Sequence, residues 1–135
     1  MSQRSDIKAN LITAYKAITG VREVSTRFKT IEQVDKSKMP YIQAMSIVEN
    51  RERADSNKNT NCSWEIGVWC YVQDEDDIEG WVEYIRVATV ADRTRGGYAR
   101  DTWMKTIHTD NVILGQTTRG LILITVVVEH RVTDA

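Results

Sequence analysis

Four acidic side chains in a row, Asp74-Glu75-Asp76-Asp77, are the first place to look for chemistry, because hard cations take carboxylate oxygens. Consecutive side chains in a tight turn rarely converge on one ion, and no distant Asp, Glu or His stands at a spacing that completes a set. Helix N-capping accounts for Asp76 and Asp77 without a metal. A metal-dependent hydrolase would have to use Asp74, Asp76 and Asp77. His108 and His130 are the only histidines, and neither has a cysteine, serine or second histidine at a metal or triad spacing. The sequence reads them as solvated strand-end residues. Cys62 and Cys70 sit on one face of one strand, about 26 Å apart at strand rise. They cannot bridge within that strand and read as buried, reduced thiols. No GxSxG, phosphate-cradling glycine loop or HExxH occurs. The expectation is a non-enzymatic interaction protein with no catalytic residue, metal ligand or cofactor.

Binding chemistry is better represented. Arg86, Arg93, Arg95 and Arg100 gather around Gly96-Gly97, with Tyr98 among them. Such a spot can meet phosphates or an acidic protein surface, or it can be a helix end whose arginines suit the macrodipole. One phenylalanine and no RNP-like strand leave too few aromatics for a base-stacking platform. Trp69 and Tyr71 share a strand face that otherwise shows Ser63, Glu65 and Gln73. Either a helix covers them or they form a patch of the kind used in protein interfaces.

The elements that position these residues radiate from residues 62–91. Cys62, Trp64, Ile66, Val68, Cys70 and Val72 put an apolar residue at every even position, the period-2 signature of a strand with one face in a core. After the acidic turn, Ile78, Trp81, Val82, Ile85 and Ala88 recur at spacings of three and four, the stripe by which a helix lies on that core. Before them, Ser5 is placed to cap a helix with Ile7, Leu11, Ile12, Tyr15 and Ile18 on one side, ended by Gly20. Residues 21–28 suit a short strand, 29–38 a polar loop, and 41–49 a strand entered from Met39-Pro40, whose proline forces an extended predecessor. Residues 50–61, NRERADSNKNTN, are almost free of apolar side chains. They are expected to form a mobile hairpin tip or an arm that orders against a partner. Residues 98–114 read as a strand on the strength of Thr102, Thr106 and Thr109, and 115–120 as a turn. In 121–132 one face carries Ile122, Ile124, Val126 and Val128 and the other Leu121, Leu123, Thr125 and Val127. A strand apolar on both faces belongs inside a covered sheet, and only Glu129-His130-Arg131 looks wet.

Together these elements predict an α+β fold: an antiparallel sheet with helices packed on it, in a single compact domain over residues 1–135. With 135 residues, 41% of them hydrophobic, a core forms without staples. A net charge of −1 gives no global field toward nucleic acid or anionic lipid. The apolar run 121–128 is far shorter than the roughly 20 residues a bilayer span needs, and a soluble protein with no secretory signal is expected. The two apolar faces of 121–128 ask for more cover than one short domain supplies, and self-association would provide it.

The opening amphipathic helix 7–18, Met39-Pro40-Tyr41 leading into a strand, and the polar arm 50–61 form a familiar layout. It continues with the strand 64–72, its acidic turn into the helix 78–91, and the Gly120-led apolar strand. In length and layout, across most of the chain, this resembles the tail terminator proteins of long-tailed bacteriophages, also described as minor tail or tail completion proteins. The resemblance implies a homohexameric ring that caps the tail tube, stops its polymerisation and joins it to the head connector. It implies a place at the head-proximal end of the tail in the virion, with assembly in the host cytoplasm. The implied partners are the chain itself, the tail tube protein and the head connector or completion protein, with DNA only passing through the lumen and no membrane. A ring of identical subunits needs a heterologous contact. Trp69 and Tyr71, with Arg53, Lys58 and Asn59 of the arm, are the expected contact residues. Arg93, Arg95 and Arg100 are the expected patch for a partner or DNA. The other readings are a head–tail connector or completion protein, and a small nucleic-acid-binding module whose affinity Arg93, Arg95 and Arg100 would carry and salt would weaken.

Overall fold

A computed structural model describes residues 3–53 and 59–133. Its spine is the strand that the even-position alternation specifies. Five strands, β1 (Glu23–Ser25), β2 (Tyr41–Arg53), β3 (Asn59–Val72), β4 (Asp101–Leu114) and β5 (Thr117–Thr133), form one sheet in the order β1-β2-β3-β5-β4. The β2–β3, β3–β5 and β4–β5 pairs are antiparallel, whereas β1 joins β2 in parallel. The sheet is therefore mixed rather than purely antiparallel. A parallel pair needs a crossover of a dozen or more residues, and residues 26–40, read in sequence as strand end and loop, supply it.

Two helices, α1 (Gln3–Lys16) and α2 (Ile78–Val90), cover one face of the sheet. Ile7, Leu11, Ile12 and Tyr15 of α1 and Ile78, Trp81 and Ile85 of α2 are buried there. They pack on Ile42 and Ala44, on the even-numbered side of β3, and on Ile122, Ile124, Val126 and Val128 of β5. The Tyr15 hydroxyl meets Thr89 Oγ1 at 2.8 Å, tying the two helices together. α1 begins ahead of Ser5, so that serine lies inside the helix and is not its cap. Gly20, at φ +94°, does take the left-handed conformation that follows a helix end. Gly120 is part of β5 rather than of a turn, because the turn is confined to Gly115-Gln116. It lies where a Cβ would come 2.5 Å from both Val72 Cγ2 and Ile78 Cγ1, so α2 approaches the sheet as closely as a glycine allows.

The opposite face is covered over half its length, by a segment with little apolar content. Residues 27–39 include two 3-10 turns, Ile31–Gln33 and Lys36–Lys38, and bury Ile31, Val34 and Met39 against the stacked rings of Tyr41 and Tyr71. Gln43 lies in the middle of this roof. Its amide nitrogen donates to the Lys29 carbonyl and to the Tyr71 hydroxyl, both at 3.0 Å. Its amide oxygen accepts from Lys29 N at 2.9 Å and from the Tyr41 hydroxyl at 3.0 Å. All four hydrogen-bonding positions of the side chain are used, which is what lets a fully buried glutamine hold a loop to a sheet.

The polar stretch 50–61 is shorter as a loop than its composition suggests. β2 runs on through Arg53 and β3 starts at Asn59, with Asn50 opposite Ser63, Arg51 opposite Cys62, Glu52 opposite Asn61 and Arg53 opposite Thr60. Backbone pairing extends the hairpin where side-chain hydrophobicity gives no sign of it. Arg53 and Asn59 are thus strand residues, while Lys58 lies outside the described residues.

Candidate functional site

In a β-ladder, directly opposed residues point to the same face. The register sets Val48 beside Glu65, Glu65 beside Val127, Trp69 beside Leu123 and Trp103 beside Val127. These side chains continue the outer face beyond the roof. Phe28 marks the boundary, its ring meeting Trp69 edge-on at 5.5 Å between centroids. Past it, Ile47 and Val48 are exposed on β2, and Trp103 on β4 is 40% exposed. The irregularity between Ser46 and Val48 turns Ile47 over Gly67, where a Cβ would already lie 3.0 Å from its Cδ1. Among the described residues β4 is paired only with β5, and Ile107 and Ile113 stand exposed along it. The molecule therefore carries an open apolar half-face leading to a long edge strand, the kind of surface that another chain covers.

Trp69 borders this surface and is half-buried. Tyr71 does not belong to it. At 1% exposure it is fixed under the roof, its hydroxyl donating to the Lys29 carbonyl at 2.5 Å. Burial raises its pKa to about 12, with Tyr41 adding to the rise. A patch of Trp69 and Tyr71 together does not form, because the 27–39 segment covers one residue completely and only skirts the other.

The arginine group is dispersed in a similar way. Arg95 is fully buried at φ +48°, and its guanidinium donates to the Asp92 carbonyl at 2.6 Å and the Thr89 carbonyl at 2.8 Å. It satisfies the Thr89 carbonyl in the last turn of α2 and the Asp92 carbonyl just beyond the helix instead of facing a partner. Burial pulls its pKa down, and nearby Tyr15 and Asp92 oppose that shift. Asp92 completes the knot, accepting from Gly96 N at 2.7 Å and the Thr94 hydroxyl at 3.2 Å. Arg93 makes a bidentate pair with Asp101 at 2.7 and 2.8 Å, and Arg86 pairs with Glu83. Arg100 is exposed and reaches Asn61 Oδ1 at 3.4 Å. A helix end explains the cluster, as the macrodipole argument allowed. The acidic run is exposed throughout and ends in a 3-10 turn, Glu75–Asp77, capped by Asp74, whose Oδ1 accepts from Asp76 N at 3.0 Å. Of the expected caps, Asp77 does occupy the N-cap position of α2 but makes no side-chain cap bond there, and Asp76 lies inside the 3-10 turn.

The least expected arrangement lies at the hairpin end of the helix-covered face. His130, read as solvated, is 1% exposed, and its Nε2 is 3.2 Å from Glu49 Oε1. It stands directly across the ladder from Cys62. Burial depresses the imidazole pKa more than Glu49 raises it. Burial raises the Glu49 carboxyl, but Arg51, Arg4 and His130 together hold it below its ordinary value. At neutral pH the pair is a carboxylate beside a neutral ring. Arg51 Nε sits 2.7 Å from Glu49 Oε2, and Arg4 lies over the Trp64 ring at 4.4 Å. A cleft of about 820 Å³ lies at this end of the sheet with Arg51, Arg100, Asp101 and Glu129 around it; Cys62 and His130 belong to its lining, although the His130 side chain is itself fully buried. The signal was present in the sequence: His130 continues the even-numbered inward set of Ile122, Ile124, Val126 and Val128, and a polar residue in step with a buried face is itself buried.

Among the described residues no helix is long and apolar enough to cross a membrane. Compared with known proteins, the chain matches no family model and no curated sequence.

Proposed function

We propose that this chain is a structural subunit of a phage tail, a tail terminator that forms a hexameric ring on the tail tube, halts its growth and joins it to the head connector. The observation that carries the reading is the open half of the outer sheet face, with Ile47, Val48 and Trp103 exposed beside the β4 edge. A patch on one face and an edge on another side suit a heterologous contact, which closes into a ring when repeated. The resemblance in layout to tail terminators supplies the kind of ring, its tube and connector partners, and its place at the head-proximal end of the virion tail. Arg95 is buried and Arg93 is paired with Asp101, so these two are engaged within the subunit and not offered to phosphates, which suits DNA that passes through a lumen. The reading is tested by adding the purified chain to polymerising tail tube protein of the same phage and following tube length by electron microscopy. Tubes capped at one end and arrested in length are expected. Tubes that elongate as they do without the chain would refute it.

A further inference from the structure

A buried histidine whose two ring nitrogens are treated unequally calls for an explanation. His130 Nε2 faces Glu49 Oε1, an acceptor, so the proton belongs on Nε2 and Nδ1 is left with a lone pair. That nitrogen has no hydrogen-bond partner in a side chain 1% exposed. Buried polar atoms are normally satisfied. Cys62 lies across the ladder from this ring, and one donor atom each from Glu49, Cys62 and His130 falls within 4.8 Å of the other two.

We propose that Glu49, Cys62 and His130 form a binding site for a borderline divalent transition metal, of which Zn²⁺ is the best match. A thiolate, an imidazole and a carboxylate are the ligand types that zinc takes. With bonds of about 2.0–2.3 Å, tetrahedral donors stand roughly 3.3–3.7 Å apart, and the three donor atoms already lie within 4.8 Å of one another. The two Glu49 oxygens are divided between tasks, since Oε2 holds Arg51 and Oε1 faces the histidine. The carboxylate can therefore turn Oε1 from the ring to the ion without releasing Arg51. The Cys62 thiolate brings one negative charge to the ion, and Glu49 shares its own between the ion and Arg51. Coordination removes one proton from the Cys62 thiol, which now points to the Thr60 carbonyl at 4.0 Å, and passes it to solvent. Three protein donors leave a fourth position, which a water molecule entering with the ion would fill. The three donors come from β2, β3 and β5, so the ion would fasten the hairpin end of the sheet, where apolar packing thins out.

The experiment uses the full chain, stripped of metal with chelator and titrated with Zn²⁺ and with Co²⁺ as a spectroscopic probe. One equivalent should bind, releasing about one proton per ion. The Co²⁺ form should show tetrahedral d–d bands with a sulfur-to-cobalt charge-transfer band. Cys62→Ser should remove the charge-transfer band, and His130→Gln should weaken Zn²⁺ binding by at least about 100-fold, while His108→Gln, at an exposed position on β4, leaves both unchanged. Zn²⁺ should also protect Cys62 of the unmodified sequence from alkylation, read by peptide mapping. That measurement and the wild-type Co²⁺ spectrum remain decisive if a variant fails to fold. Absence of the charge-transfer band and of alkylation protection in the wild-type chain, or undiminished Zn²⁺ affinity in a folded Cys62→Ser protein, would overturn the proposal.

Discussion

The two halves of the outer sheet face run over the same strands, yet one is sealed and the other open. Under the roof, Tyr41, Gln43 and Tyr71 are buried and joined by hydrogen bonds to the 27–39 segment. A few residues further along β2 and β3, Ile47 and Val48 are bare and Trp69 is only partly covered. The sealed half is held at its centre by Gln43, whose four hydrogen-bonding positions all find partners within the chain. The open half is apolar and finds few. A buried polar residue that is fully satisfied closes a surface locally, whereas an exposed apolar patch on a sheet leaves its stabilisation to another chain.

Substitutions should separate the halves, beginning with the largest effect. Tyr71→Ala removes a stacked ring and its hydroxyl from under the roof, and urea unfolding should show a loss of about 3–5 kcal/mol. Tyr71→Phe, which keeps the ring and drops the bonds to Lys29 and Gln43, should cost about 1–2 kcal/mol. On the helix-covered face, Gly120→Ala forces a Cβ against Val72 and Ile78 and should cost about 1–3 kcal/mol by overpacking. On that half, Trp103→Asp should change the unfolding free energy of the subunit by less than about 1 kcal/mol and nonetheless abolish association, read by light scattering. A stability loss as large as that of Tyr71→Ala would make the halves equivalent and remove the contrast. Lys105→Ala, which breaks an exposed pair with Glu65 at the rim of the open half, should stay within about 0.5 kcal/mol.

Alkaline pH probes the sealed regions selectively. Burial raises the pKa of Tyr15 and of Tyr71 from 10.0 to about 12. Below pH 10 both phenols are protonated in the folded and unfolded states, so their contribution is intact. Between pH 10 and 12 the unfolded chain ionises first and binds fewer protons, so stability should fall as pH rises through this window. Urea midpoints taken across it should decline less steeply in Tyr15→Phe and Tyr71→Phe than in the wild-type chain.

The parts of the fold that repeat with a hydrophobic period were legible in the sequence. The alternation at Cys62, Trp64, Ile66, Val68, Cys70 and Val72 gave the central strand and its buried side, and the stripes of Ile7–Leu11–Tyr15 and Ile78–Trp81–Ile85 gave both helices. The doubly apolar 121–128 segment does lie inside the sheet, between β3 and β4. What stayed hidden depends on polar groups whose partners are distant in sequence. Gln43 looks like an ordinary polar strand residue until Lys29, Tyr41 and Tyr71 surround it. Arg95 looks like a solvated helix-end charge until its guanidinium turns back onto the Thr89 carbonyl. The hairpin extension through Arg53 rests on backbone pairing, which leaves no hydrophobic trace. Of the contact residues expected from sequence, Trp69 borders the open surface and Tyr71 does not, while Ile47, Val48 and Trp103 were missed because the bulge in β2 and the order of β4 in the sheet decide their exposure.

Native mass spectrometry of the full chain over a range of concentrations, beside Trp103→Asp, bears most directly on whether the open half-face closes a ring. A discrete hexamer of the wild-type chain, reduced to monomer by the substitution, is the predicted result. A wild-type chain that is monomeric at every concentration, both alone and with tail tubes present, would contradict it.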